Sequence, residues 1–178
     1  MRKELLVVGR GGQGILLFGR VLGSTIAKHT DLHVAATEFY GAETRGTESR
    51  VEIIISSDPE EIDYVRVRKP DIALFMYPFR LSKYAEMLND NALVFLDSTH
   101  VSRFPGKQGW KVYRQPYTDI AYREVGSARV ANMVALGHVV ARTNLVKPEH
   151  VEDTIGDVVP SKWVEANIRA FRIGLRLS

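Results

Sequence analysis

Leu5-Leu-Val-Val-Gly-Arg-Gly-Gly-Gln-Gly-Ile15 is the stretch on which the fold reading turns. Leu5 to Val8 form a short apolar run, glycines follow at once, and a helical pattern then extends from Ile15 to about Lys28, which is the order strand, turn, helix. Gly9, Gly11 and Gly14 fit G-x-G-x-x-G in that context. Lacking Cβ, they let the backbone turn tightly and approach a ligand, while the helix amides beyond present partial positive charge to an anion. A phosphate-bearing ligand fits such a turn. In a dinucleotide-binding fold an acid about 20 residues onward holds a ribose, which makes Asp31 and Glu38 candidates, Glu38 being the better placed. The competing reading is that the glycines only permit a close strand-to-helix turn. A phosphate-binding P-loop is not an option, because G-K-[ST] at the proper spacing is missing.

Working outward, residues 32–39 and 50–56 read as two more strands, 70–76 and 92–97 as buried strands, and 81–88 as the helix between those two. Alternation of strand and helix argues for a parallel sheet with crossover helices. Residues 104–109 are loop by their Pro and Gly content, and 110–115 form a shorter strand. After Pro116 the pattern is helical, with Val130, Val134, Leu136 and Val140 on one face, and Pro148 and Pro160 open two further helices. The expectation is one α/β domain over residues 1–178: a mainly parallel sheet flanked by helices, a Rossmann-like glycine loop and a helical C-terminal part.

Composition narrows the function. At 178 residues, 45% hydrophobic and 25% charged, the chain is of ordinary globular type. No apolar run approaches the roughly 20 residues of a membrane span. Met1 to Val8 lacks the apolar core of a signal peptide, so the cytoplasm is the expected location. Without cysteine the chain supplies no disulfide, thiolate zinc site or iron–sulfur ligand. A formal charge of +3, with basic and acidic residues interspersed, gives no pointer to nucleic acid. The histidines at 29, 33, 100, 138 and 150 have no metal-site spacing. Asp97 and Ser98 read as loop caps rather than hydrolase residues, since no G-x-S-x-G elbow is present. Arg169, Arg172 and Arg176 give the last helix a solvated or subunit-facing basic side.

A second polar turn, Tyr40-Gly-Ala-Glu-Thr-Arg-Gly-Thr-Glu-Ser49, joins two predicted strands. Its Arg45 can grip a phosphate or carboxylate with two parallel hydrogen bonds, or pair with Glu43 or Glu48 in a solvated turn. Should 32–39 run parallel to the first strand, this turn meets the glycine loop at one sheet edge.

Gly9-Arg-Gly-Gly-Gln-Gly14, Tyr40-Gly-Ala-Glu-Thr-Arg-Gly46 with Ser49, and Asn132-Met-Val-Ala-Leu-Gly137 together resemble the gamma subunit, or gamma domain, of 2-oxoacid:ferredoxin oxidoreductases. The resemblance implies a multi-subunit enzyme that converts a 2-oxoacid and coenzyme A into acyl-CoA and carbon dioxide while reducing ferredoxin. Thiamine diphosphate and iron–sulfur clusters belong, on that resemblance, to partner subunits, and this chain contributes no catalytic residue or metal ligand. Carried over residue by residue, Gly9, Gly11, Gly12, Gln13 and Gly14 lie at the anion end of a coenzyme A site, with Arg45, Gly46 and Ser49 opposite and Asn132 as a further candidate or a helix-pinning amide. Thr47 departs from the family pattern, which has glycine there; a β-branched residue disfavours positive φ, so the turn is expected to differ. General likeness leans to 2-oxoglutarate over pyruvate, with an indolepyruvate-type relative as a further possibility. The alternative from another class is a free-standing dinucleotide-binding oxidoreductase using G-x-G-x-x-G and Glu38.

Overall fold

The computed structural model describes residues 1–41 and 46–178. Its elements run β1 (Arg2–Arg10), α1 (Ile15–His29), β2 (His33–Tyr40), β3 (Glu48–Ser56), β4 (Ile72–Phe75), α2 (Leu81–Met87), β5 (Leu93–Asp97), β6 (Lys111–Gln115), α3 (Tyr117–Val125), α4 (Ala131–Thr143), α5 (Pro148–Val158) and α6 (Ser161–Leu175). Each predicted strand and helix is present. The one helical stretch expected after Pro116 is two helices, because Gly126 ends α3 in the left-handed region at φ 86°, where glycine carries no steric penalty.

The strands form one sheet in the order β2-β3-β1-β4-β5-β6. β1, β4, β5 and β6 are mutually parallel, as expected. β3 is not: it lies antiparallel between β1 and β2, with Gly9 opposite Ser49 and Tyr40 opposite the same Ser49. β2 therefore runs in the direction of β1 without touching it. The reason is covalent: only seven positions, 41–47, separate β2 from β3, and so short a connection joins adjacent strands antiparallel.

Both faces of the central strands are apolar. Leu5 and Val7 face a cluster with Phe18, Leu22 and Ile26 of α1, Val134 of α4 and Phe171 of α6, all fully or nearly fully buried. Leu6 and Val8 face the other cluster, with Phe75, Tyr84 and Leu88. At roughly 25 cal/mol per Å² of apolar area removed from water, burial on this scale is the main stabilising contribution. The side of each crossover matters for function: α1 leaves β1 toward one face, and α2 leaves β4 toward the other. No helix of the described residues is long and apolar enough to cross a membrane.

α4 and α6 approach backbone to backbone. A Cβ on Gly174 would sit 2.0 Å from the Val134 carbonyl oxygen, and one on Gly137 would sit 2.1 Å from that of Phe171. Beside this crossing His138 is fully buried, its Nδ1 2.8 Å from the Tyr117 hydroxyl and its ring edge-on to Phe95 and Tyr113. Burial, aided by the neighbouring Arg142 guanidinium, pushes the His138 imidazole down to about 4, so it is neutral in the folded protein at physiological pH.

Gly174→Ala should cost about 1–3 kcal/mol or more by overpacking, read as a lower denaturant midpoint. Gly156→Ala on α5, where a Cβ meets nothing within 4 Å, should instead stabilise by about 0.5–1 kcal/mol. For His138, whose folded value of about 4 lies below the ordinary 6.5, the unfolded chain binds the proton first. Stability should therefore fall as pH drops from about 6.5 to about 4, by on the order of 3 kcal/mol from this group, and level off below. His138→Gln should flatten that window relative to wild type in denaturant titrations at stepped pH.

Candidate functional site

The glycine loop is shaped by its own side chains. Gln13 N–H donates to the Arg10 carbonyl at 3.0 Å, and Arg10 N–H donates to Gln13 Oε1 at 2.7 Å. Gln13 Nε2 then reaches the Met76 carbonyl at 3.2 Å, tying the end of β1 to the end of β4. Gly12 and Gly14 take left-handed φ values of 97° and 73°. A Cβ on Gly9 would collide with Ile15 at 2.4 Å, whereas one on Gly12 would meet none of the described residues within 4 Å. Gly12 is thus the open crest of the turn, and Gly9 its packed floor. Gly14, the residue that precedes α1, offers no side-chain cap, so no side chain of its own occupies the first-turn amides at the positive end of the helix dipole.

Asn132 lies beneath. It is buried, donates from Nδ2 to the Gly14 carbonyl at 2.9 Å, and accepts from Met133 N–H at 2.9 Å. A Cβ on Gly14 would stand 2.4 Å from that amide nitrogen. Of the two roles open to Asn132, the geometry fills the pinning one: both ends of its amide already serve backbone.

The second turn comes down onto the first. Gly11 N–H donates to the Thr47 carbonyl at 2.8 Å, and a Cβ on Gly11 would lie 3.4 Å from the Tyr40 ring. Gly46 takes a left-handed φ of 93°, while Thr47 is not among the residues of positive φ. The β-branched residue therefore sits in backbone that suits it, and its hydroxyl donates to the Gly41 carbonyl at 3.3 Å. Ser49 is 3% exposed on β3, under the turns rather than on their rim. Arg45, with Ala42, Glu43 and Thr44, lies outside the described residues. The structure thus brings Gly9, Gly11, Gly12, Gln13, Gly14, Gly46, Ser49 and Asn132 to one edge, with the glycine backbones above and the three polar side chains beneath.

Further along this edge, Asp97 closes β5. It accepts from Thr99 N–H at 3.1 Å and from the Thr118 hydroxyl at 2.5 Å, which is the capping role expected of it. Two side chains beside the glycine loop escaped the sequence reading. Arg10 occupies the variable position of the motif and stacks its guanidinium 4.8 Å above the Tyr77 ring. Tyr77, the second residue after β4, also touches the rings of Phe79 and His100. Their shared signal was position, since Arg10 ends β1 and Tyr77 follows β4, parallel strands that prove adjacent.

Glu38 requires correction as a ribose-binding candidate. In a dinucleotide fold the acid ends the strand next to β1, but here β3 occupies that place. Glu38 is instead gripped by Arg20 of α1 through two hydrogen bonds of 2.9 and 3.0 Å, and exposed Asp31 precedes β2 at the opposite sheet edge. Among the described residues no group of three or more His, Asp or Glu side chains is arranged to hold a metal.

A family model described as pyruvate ferredoxin/flavodoxin oxidoreductase matches residues 4–177. The chain is 36% identical to the 2-oxoglutarate synthase subunit KorC of Methanothermobacter marburgensis, over 99% of this chain and 97% of the relative. Its structure is similar to the gamma subunit of a keto/oxoacid ferredoxin oxidoreductase from Geobacter sulfurreducens, at TM-score 0.87 and 30% identity, covering 99% and 96% of the two chains. It also matches in fold 30% of a chain of the 2-oxoglutarate:ferredoxin oxidoreductase from Magnetococcus marinus, solved with 2-oxoglutarate, coenzyme A and succinyl-CoA, with 98% of this chain covered, a TM-score of 0.83 and 20% identity. The chain belongs to the pyruvate ferredoxin/flavodoxin oxidoreductase family, as one of its gamma-type subunits. The free-standing dinucleotide oxidoreductase is accordingly not favoured.

Asn132→Ala should lower stability by about 0.5–1.5 kcal/mol, because the Gly14 carbonyl keeps the Phe18 N–H but loses the Asn132 amide. An unchanged denaturant midpoint would mean that the amide does not hold the loop.

Proposed function

We propose that this chain, as one gamma-type domain over residues 1–178, works in a 2-oxoacid:ferredoxin oxidoreductase of the 2-oxoglutarate type and supplies the coenzyme A side of a cleft that larger cytoplasmic partners complete. The observation that carries the reading is the junction at Gly11 and Thr47, bonded at 2.8 Å. It brings two turns together beside an uncapped helix end and a crest, Gly12, where a Cβ would meet no described residue within 4 Å. Such a surface suits a phosphate approaching backbone amides closely. The 36% identity to a chain named for 2-oxoglutarate supports that substrate class.

The division of labour follows from what the chain contains. With no cysteine it cannot ligate iron–sulfur clusters, and thiamine diphosphate chemistry is assigned to the partners. Coenzyme A enters as cosubstrate. Gly9, Gly11, Gly12 and Gly14 shape the turn that meets its phosphates, Gln13 and Asn132 hold that turn from below, and Gly46 and Ser49 support the opposite turn, on which Arg45 is the carried-over anion partner. Holding the anionic end fixed lets the thiol meet the acyl group in one orientation, a gain paid for by binding energy remote from the reacting atoms.

In the co-expressed complex Gly12→Glu, which puts a carboxylate where a phosphate is expected, should raise the KM for coenzyme A about tenfold or more, with the KM for the 2-oxoacid little changed. Anaerobic purification through a tag on this chain should bring down larger thiamine- and iron–sulfur-containing chains. Tight NADH binding by the chain alone, with turnover of a hydroxy acid, would overturn the subunit reading.

A further inference from the structure

Among the described residues no carboxylate answers the Arg10 cation. Its cross-strand neighbour is Glu48, yet that carboxylate is already held by Arg50, the Tyr84 hydroxyl and Arg80. Among the described residues Arg10 makes no ion pair; its side chain rests on the Tyr77 ring, while its N–H is fixed by Gln13. Tyr77 continues into an aromatic shelf, with Phe79 at 4.9 Å and His100 at 5.5 Å between ring centroids. Phe79 packs against the edge of one hydrophobic cluster, whereas Tyr77 and His100 belong to neither, so the Tyr77 end of the shelf lies outside the core.

The place is as telling as the chemistry. β1 and β4 are adjacent and parallel, and their following helices depart to opposite faces. That divergence marks the switch point at the carboxyl edge, where open α/β sheets take their ligands. Arg10 and Tyr77 stand there together, and Gln13 ties the end of β1 to Met76.

We propose that Arg10 and Tyr77 form a subsite for the adenosine-phosphate end of the ligand, the guanidinium meeting a phosphate and the shelf meeting the ring. The assignment rests on the coenzyme A reading above and deepens it. A planar guanidinium already oriented by an aromatic face presents its N–H fork to phosphate with little ordering cost, and a tyrosine ring stacks on a base.

The test uses the co-expressed complex, with adenosine 3′,5′-bisphosphate as a probe that carries phosphates and ring but no thiol. It should compete with coenzyme A. Arg10→Ala and Tyr77→Leu should each raise both the KM for coenzyme A and the inhibition constant of the probe about tenfold, leaving kcat and the 2-oxoacid KM within about twofold. Arg10→Lys should recover part of the loss, and Tyr77→Phe, which keeps the ring, nearly all of it. Unchanged constants in Arg10→Ala and Tyr77→Leu, alongside a raised coenzyme A KM in Gly12→Glu, sink the subsite and spare the wider reading. If Gly12→Glu is silent too, the wider reading goes with it. A parallel fall in kcat and complex yield, with the probe constant unmoved, assigns the pair to structure and likewise overturns the proposal.

Discussion

Placing β3 antiparallel between β1 and β2 brings the turn after β2 down onto the turn after β1. The Gly11 to Thr47 hydrogen bond, 2.8 Å long, is the contact through which one holds the other. Were β2 paired directly with β1 in parallel, its turn would lead into a crossover and away from the glycine loop. The hairpin keeps both turns at the same height over the sheet edge. It also displaces Glu38 by one strand and leaves it to Arg20, which removes the ribose contact a dinucleotide fold would need.

At this edge the side chains and the backbone exchange their usual parts. Gln13 and Asn132, the amide side chains of the two motifs, spend their hydrogen bonds on the chain's own carbonyls and amides. What they leave outward is backbone: Gly12, left-handed and open, and the first turn of α1. Satisfying buried polar groups internally is what makes such a loop rigid, and a rigid loop binds an anion without first having to order itself. Thr47 fits the same logic. The residue that must turn left-handed is Gly46, so the next position tolerates a β-branched side chain and uses its hydroxyl on Gly41.

The strand and helix order could be read from the sequence because periodicity and punctuation reported local structure: Leu5 to Val8 before glycines, Pro148 and Pro160 at helix starts. Direction was harder. Seven positions without a helical pattern, 41–47, imply a hairpin, yet their glycines, hydroxyls and charges suit a ligand-facing loop equally well. The glycine loop and its partner turn were likewise legible as motifs. The Arg10 and Tyr77 pair was not, since 67 positions separate them and only the β1–β4 pairing makes them neighbours. Nor does a sequence say that Glu48 is engaged elsewhere, which is a fact of packing around Arg50 and Tyr84.

The helical half of the chain is more than a cover for the sheet. Asn132 stands in the first turn of α4 and holds Gly14, while further along α4 Gly137 lies against Gly174 of α6 at a distance that admits no side chain. The glycine loop is thus fastened to α4, and α4 is fixed against α6 by a backbone contact. Close-packed interiors transmit small displacements instead of absorbing them. A shift of α6 would therefore be carried along α4 to the Gly14 carbonyl, and the exposed basic side of α6, with Arg169 and Arg176, faces solvent where other subunits can reach it. The basic side of α6 and the glycine loop are in this way joined through two helices, although neither helix contributes a side chain to the open crest of the loop.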